Sequence, residues 1–189
     1  MDRFFSMDNK FFIFMGKVAD LFILNILCLI CCIPIVTAGA SITAMFYVTI
    51  KMVKNEESYI IKSFFKSFKQ NFKQATVINL IMLVLAVILY VDMSIVKQMG
   101  QPLGQIMNII FLAFSVLYVM VFLYIYPVLA KFYNSTRNTF INAVLMSVRH
   151  LPYTVLMAVI CACPVLLVSF APTFKVQATI ILICLVIGG

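Results

Sequence analysis

The sequence predicts an all-α polytopic membrane bundle of about six spans, five being the alternative, with amphipathic helices at the membrane surface. Three observations predict it. Of 189 residues, 65% are hydrophobic and 11% charged, whereas water-soluble domains run near half apolar and a quarter charged. That balance excludes a soluble globule, and it equally excludes a disordered chain, which needs low hydrophobicity. The apolar residues gather in runs close to the roughly 20 residues that cross a hydrocarbon core of about 30 Å. The net charge of +8 comes from 14 Lys and Arg against 6 Asp and Glu. These cations sit between the apolar runs, where they set orientation and attract anionic lipid headgroups rather than nucleic acid.

Taken in order, residues 1–17 mix Phe with Arg3, Lys10 and Lys17 and read as an interfacial lead-in. Residues 18–36 are the first apolar run, a retained anchor rather than a cleaved signal, since everything downstream is equally membrane-bound. Residues 37–53 carry Gly39, Ala40, Thr43 and Ala44. That small-residue face lets helices approach closely in lipid, where no hydrophobic force drives them together. Residues 58–74 form a basic amphipathic surface helix. On a helical wheel Phe64, Phe65, Phe68 and Phe72 fall in one arc beside a stripe of Lys62, Lys66, Lys69 and Lys73. The expected placement puts the Phe face in the acyl boundary and the lysines on anionic headgroups.

Residues 75–91 are a clean span and 94–105 a polar loop. Residues 106–128 span again, with Tyr118, Tyr124 and Tyr126 placed for the interface. Residues 131–150 are mixed and basic, 151–170 form a span broken by Pro164, and 171–175 turn the chain. The apolar run 176–189 is short for a crossing, and the expectation is that this last span is incomplete here. The whole chain thus reads as one integral membrane domain. A weak repeat at an offset of 80 sets Ser67-Phe68-Lys69-Gln70 against Ser147-Val148-Arg149-His150, which suggests two similar units. If 37–53 crosses, twelve Lys and Arg lie on the side of the N terminus and two, Lys97 and Lys175, on the other. The positive-inside rule then puts both termini in the cytoplasm.

Catalytic chemistry is sparse. His150 is the sole histidine, and at a span end it reads as a headgroup or backbone contact. Glu56 and Glu57 are adjacent, so on a helix they diverge and suit a helix N-terminus better than acid–base work. Six cysteines, Cys28, Cys31, Cys32, Cys161, Cys163 and Cys184, lie in apolar runs and read as small apolar residues, not as a disulfide frame or a metal site. No phosphate-loop or hydrolase motif occurs, so no catalytic residue, cofactor or metal is expected. The polar residues deep in spans, Asn25, Asn79 and Asn108, have two readings: interhelical packing or a polar path for a solute. Pro34, Pro127 and Pro164 are expected to kink helices and free carbonyls.

Particular strings carry a resemblance. Asp8-Asn9-Lys10-Phe11-Phe12, Lys17-Val18-Ala19-Asp20-Leu21, Pro34-Ile35-Val36-Thr37-Ala38-Gly39-Ala40-Ser41 and the stretch Ser63-Phe64-Phe65-Lys66-Ser67-Phe68-Lys69-Gln70-Asn71-Phe72-Lys73-Gln74-Ala75 together resemble the YesL family of bacterial integral membrane proteins. The likeness is sharpest in the first 80 residues. It implies a plasma-membrane protein, encoded among carbohydrate uptake transporters and sugar-responsive regulators, and it carries over no catalytic or ligand-binding residue. The expected function is a non-enzymatic accessory to a carbohydrate uptake system of the ABC type, with transporter subunits and the inner leaflet as partners. A small self-contained transporter or channel is the alternative.

Overall fold

The computed structural model describes residues 10–56, 59–100 and 102–170. They form six helices: α1 (Lys10–Cys32), α2 (Ile35–Val53), α3 (Ile60–Val96), α4 (Leu103–Lys131), α5 (Thr136–Arg149) and α6 (Leu151–Phe170). The fold is all-helical, as the composition predicts. Four helices, α1 to α4, are long and apolar enough to cross a membrane, and α5 with α6 makes a fifth if that pair, bent by 98°, is one span. The run 176–189 and most of the lead-in 1–17 lie outside the described residues.

Each boundary has a local cause. Proline disfavours a helical residue before it, so α1 stops at Cys32 and Pro34 opens α2 with extended backbone. Pro34 therefore ends a helix where a kink was expected. At the other end of α2, Asn55 takes a left-handed conformation (φ 53°). Its N–H bonds Met52 O at 3.1 Å, and the N–H of Glu56 bonds Lys51 O at 3.1 Å, the paired bonds of a Schellman turn. Glu56 thus closes α2 and does not cap α3, whose first turn holds no acid. A β-branched residue is strained in this conformation by about 1–2 kcal/mol. Asn55→Val should therefore lower stability by about that much while Asn55→Gly keeps the turn, as thermal unfolding of the purified chain would read out.

The principal departure from the sequence reading is α3. Residues 58–74 were expected to form a surface helix distinct from the following span, yet α3 runs unbroken for 37 residues. At 1.5 Å per residue that is about 55 Å, nearly twice the hydrocarbon core. Its sequence from Ile60 to Val96 contains neither Gly nor Pro, the residues that ordinarily break or kink a helix.

Register follows from named contacts. Lys17 Nζ donates to Asn55 Oδ1 at 2.8 Å, so α1 and α2 are antiparallel. Phe64 packs with Val48 and Met52 at one end of the α2–α3 pair, and Asn79 meets Ile35 at the other. Hence α2 lies along the first half of α3 only. The α1–α2 turn ends level with the middle of α3, while α4 pairs with the second half, Ser115 meeting Met93 and Tyr118 meeting Met82. The α1–α2 hairpin is therefore offset from the α3–α4 pair along α3.

Two apolar clusters hold the bundle. One joins Ala40, Ala75, Ile78, Met82, Ile125 and Leu129 with Ala143 of α5; the other joins Leu24, Cys28, Ala44, Val48 and Phe64. The small residues flagged in α2 are buried here, Ala40, Thr43 and Ala44 among them. The offset-80 repeat survives only in part. Ser67 and Ser147 are both buried, as are Ser63 and Ala143. But α3 continues past Gln70, whereas the chain bends sharply after Arg149.

Candidate functional site

The densest polar contact within the apolar helices is a junction around Asn79. Where α1 breaks, the carbonyl of Cys31 at its C-terminal end loses its helical partner, and in lipid such a group costs several kcal/mol unless satisfied. The carbonyls of Pro34, Ile35 and Val36 open α2, and each can accept a second bond beside the backbone one. Side-chain donors meet these carbonyls. Thr37 Oγ1 lies 2.7 Å from Cys31 O and 2.8 Å from Pro34 O. From α3, Asn79 Nδ2 donates to Ile35 O at 2.8 Å and Thr76 Oγ1 to Val36 O at 3.4 Å. From α4, the Tyr126 hydroxyl donates to Asn79 Oδ1 at 2.9 Å. One asparagine therefore connects three helices.

Gly39 permits this approach. A Cβ at that position would stand 2.8 Å from both Ala75 O and Asn79 Cβ, closer than real contacts allow, and one of these neighbours is backbone. Two neighbouring thiols, Cys28 and Cys32, lie 3.8 Å apart, and Cys32 Sγ sits 3.9 Å from Ala38 O.

The other two asparagines do not join Asn79. Asn25 is buried on α1 near the cluster of Leu24 and Cys28. Asn108 is exposed on α4, five helical turns before Tyr126, or about 27 Å along the axis. The three were proposed to line a path or to pack between helices. Asn79 bonds α2 and α4, and the helices place the three at different levels.

The tyrosines expected at the headgroup level also turn inward. Tyr118 donates to Met82 O at 3.1 Å, Tyr124 lies 3.1 Å from Thr154 Oγ1, and Tyr126 is 2% exposed. Tyr126 buries its ring, Tyr118 and Tyr124 are half-buried, and each hydroxyl meets another helix. At the α3–α4 end, Gln74 Nε2 donates to Asn134 O at 2.7 Å.

The basic stripe keeps its lysines outward: Lys62, Lys66, Lys69 and Lys73 are all exposed. The Phe face is corrected. Phe64 is fully buried against α2, and Phe68 and Phe72 are partly buried against the two clusters. Of the four only Phe65 is exposed, at 46%. The wheel placed the arc correctly, but a neighbouring helix rather than lipid covers most of it. Lipid contact by this half of α3 would then rest mainly on charge, at about 1 kcal/mol for each lysine near an anionic surface. The chain has no tryptophan, so Phe65→Trp gives a single indole that can be excited apart from the tyrosines. Its quenching by brominated anionic lipid is expected to fall sharply when the four lysines become glutamate. Unchanged quenching would remove the stripe from the membrane surface.

His150 is exposed, with its ring 6.3 Å from that of Tyr153. Residue-type reading missed Tyr126, Thr76 and Thr37 as parts of the junction. The available signal was the helical spacing of Thr76 and Asn79, which share a face three residues apart.

No curated protein and no solved structure matches the chain. A family model described as a protein of unknown function, DUF624, matches residues 21–93, the segment that holds most of α1, all of α2, most of α3 and Asn79 itself.

Proposed function

We propose that this chain is a non-enzymatic multi-pass protein of the bacterial plasma membrane, of the YesL kind, that serves as an accessory to a carbohydrate uptake system. Its N terminus lies in the cytoplasm, and it works by contact with transporter subunits inside the bilayer. One observation carries this reading. Thr76, Asn79, Tyr118 and Tyr126 of the apolar helices are spent on binding those helices to one another, while α4 presents apolar groups outward, among them Ile109, Phe114 and Leu117 at 69%, 56% and 53% exposure. Such a surface suits lipid and partner helices. A solute path would instead need polar groups converging from several helices, and Asn25, Asn79 and Asn108 do not converge.

The sugar association rests on the sequence resemblance. The test is flux: the purified chain, reconstituted alone in vesicles, is expected to move neither sugars nor ions across a broad panel. Saturable uptake by the chain alone would overturn the accessory reading in favour of a self-contained transporter.

A further inference from the structure

An open cavity of about 720 Å³ lies where the end of α2 and the start of α3 meet the middle of α1, away from the Asn79 junction. Its size falls within the roughly 300–1,000 Å³ of small-molecule sites. Ile23, Val48, Met52 and Ile60 give it an apolar floor, and Asp20, Lys51 and Glu56 bring three charges to the same cavity. Charge is scarce in this chain, and acids are scarcer than bases: Asp20 and Glu56 are two of only six. Among the described residues no ion pair joins Asp20, Lys51 and Glu56.

The charges are held by the fold. The Schellman turn bonds the N–H of Glu56 to the carbonyl of Lys51, which fixes the two backbones relative to each other. Lys51 Nζ sits 5.1 Å from the centroid of the Tyr47 ring, a cation–π contact that restrains the ammonium. Asp20 comes from α1. The cavity also opens sideways, because Ile23 and Ile61 are 44% and 52% exposed and continue into the exposed side chains of Phe22, Ile26 and Phe65.

A bare metal ion would leave the apolar floor unused. A sugar would need many more hydrogen-bonding groups than this floor provides. An anionic amphiphile would meet two carboxylates against one lysine. The complementary molecule carries an ammonium for the carboxylates, a phosphate for Lys51 and an acyl chain for the Ile, Val and Met side chains.

We propose that this cavity binds one zwitterionic phospholipid from the surrounding bilayer, its ammonium between Asp20 and Glu56, its phosphate at Lys51 and an acyl chain leaving past Ile23 and Ile61. The proposal is independent of the accessory reading.

The full-length chain is reconstituted with equal amounts of phosphatidylethanolamine and phosphatidylglycerol of matched acyl chains, re-extracted in mild detergent and weighed by native mass spectrometry. One ethanolamine lipid per chain is expected to remain bound. Asp20→Asn combined with Glu56→Gln should lower its retention by about tenfold, the worth of one charge-assisted hydrogen bond. A second measurement uses the unaltered protein: ethanolamine lipid acylated on its nitrogen, and so without the ammonium, should be retained no better than the glycerol lipid. Equal retention of ethanolamine and glycerol lipids, undiminished retention of the N-acylated lipid, or a folded double variant that binds as before would each overturn the assignment.

Discussion

Replacing Gly39 by leucine is expected to disrupt the α2–α3 pair and with it the folded state of the purified protein. The reason is spatial. The first side-chain carbon would already stand 2.8 Å from the carbonyl oxygen of Ala75 and 2.8 Å from Asn79 Cβ. Backbone in mid-helix cannot rotate away as a flexible side-chain tip can, so the helices must separate. Gly39→Ala brings only that one carbon and should cost about 1–3 kcal/mol, the range for overpacking. Leucine adds three more carbons and also displaces Asn79 from Ile35 O. Gly16 is the internal control, since nothing lies within 4 Å of a Cβ built there. Gly16→Ala should be neutral or should stabilise by up to about 1 kcal/mol through helix propensity. Thermal unfolding in one detergent would rank the variants, and a Gly39→Ala protein as stable as the parent would refute the close approach.

Removing the Asn79 amide is the second large effect. Asn79→Leu keeps the number of heavy atoms and the branch point but leaves the buried Tyr126 hydroxyl without its acceptor and takes the side-chain donor from Ile35 O. An unsatisfied buried polar group costs about 1–3 kcal/mol. Interhelical hydrogen bonds in membranes nevertheless average only about 0.6 kcal/mol in double-mutant cycles, because freed groups find other partners. The expected loss for Asn79→Leu is therefore about 1–3 kcal/mol, below that of Gly39→Leu. Tyr126→Phe should cost less, since it removes a single bond. The pair in a cycle should show coupling of about 0.6–1.7 kcal/mol. Additive losses would mean that the hydroxyl and the amide do not act on each other.

Much of the fold could be read from the chain because lipid allows so few solutions. Apolar runs of spanning length must be helices, and the Pro34 break, the basic stripe and the small face of α2 all appear where residue chemistry puts them. What the sequence concealed was the partner of each face. A helical wheel shows that Phe64, Phe68 and Phe72 share an arc, but protein and lipid are nearly equivalent solvents for a phenyl ring. Composition therefore could not say that α2, rather than the bilayer, covers Phe64. The same ambiguity hid the inward turn of Tyr126. The continuity of α3 was legible in principle, from the absence of Gly and Pro between Ile60 and Val96, but the change from a basic to an apolar composition at Gln74 suggested a boundary. Composition reports environment along a helix and does not show where the helix ends. The junction and the cavity were hidden for a further reason. Each is assembled from three elements, and no local spacing encodes that Asn79 meets Ile35 or that Asp20 shares a cavity with Glu56.

The accessory role is tested most directly by recovering the full-length protein from its native membrane in mild detergent and identifying by mass spectrometry what accompanies it. The account predicts transporter subunits in stoichiometric amount, with their recovery lost when outward residues of α4 such as Phe114 and Leu117 are made polar while the thermal stability of the chain is kept. Recovery of the protein alone or only with copies of itself, joined to sugar uptake by vesicles that contain nothing else, would contradict it.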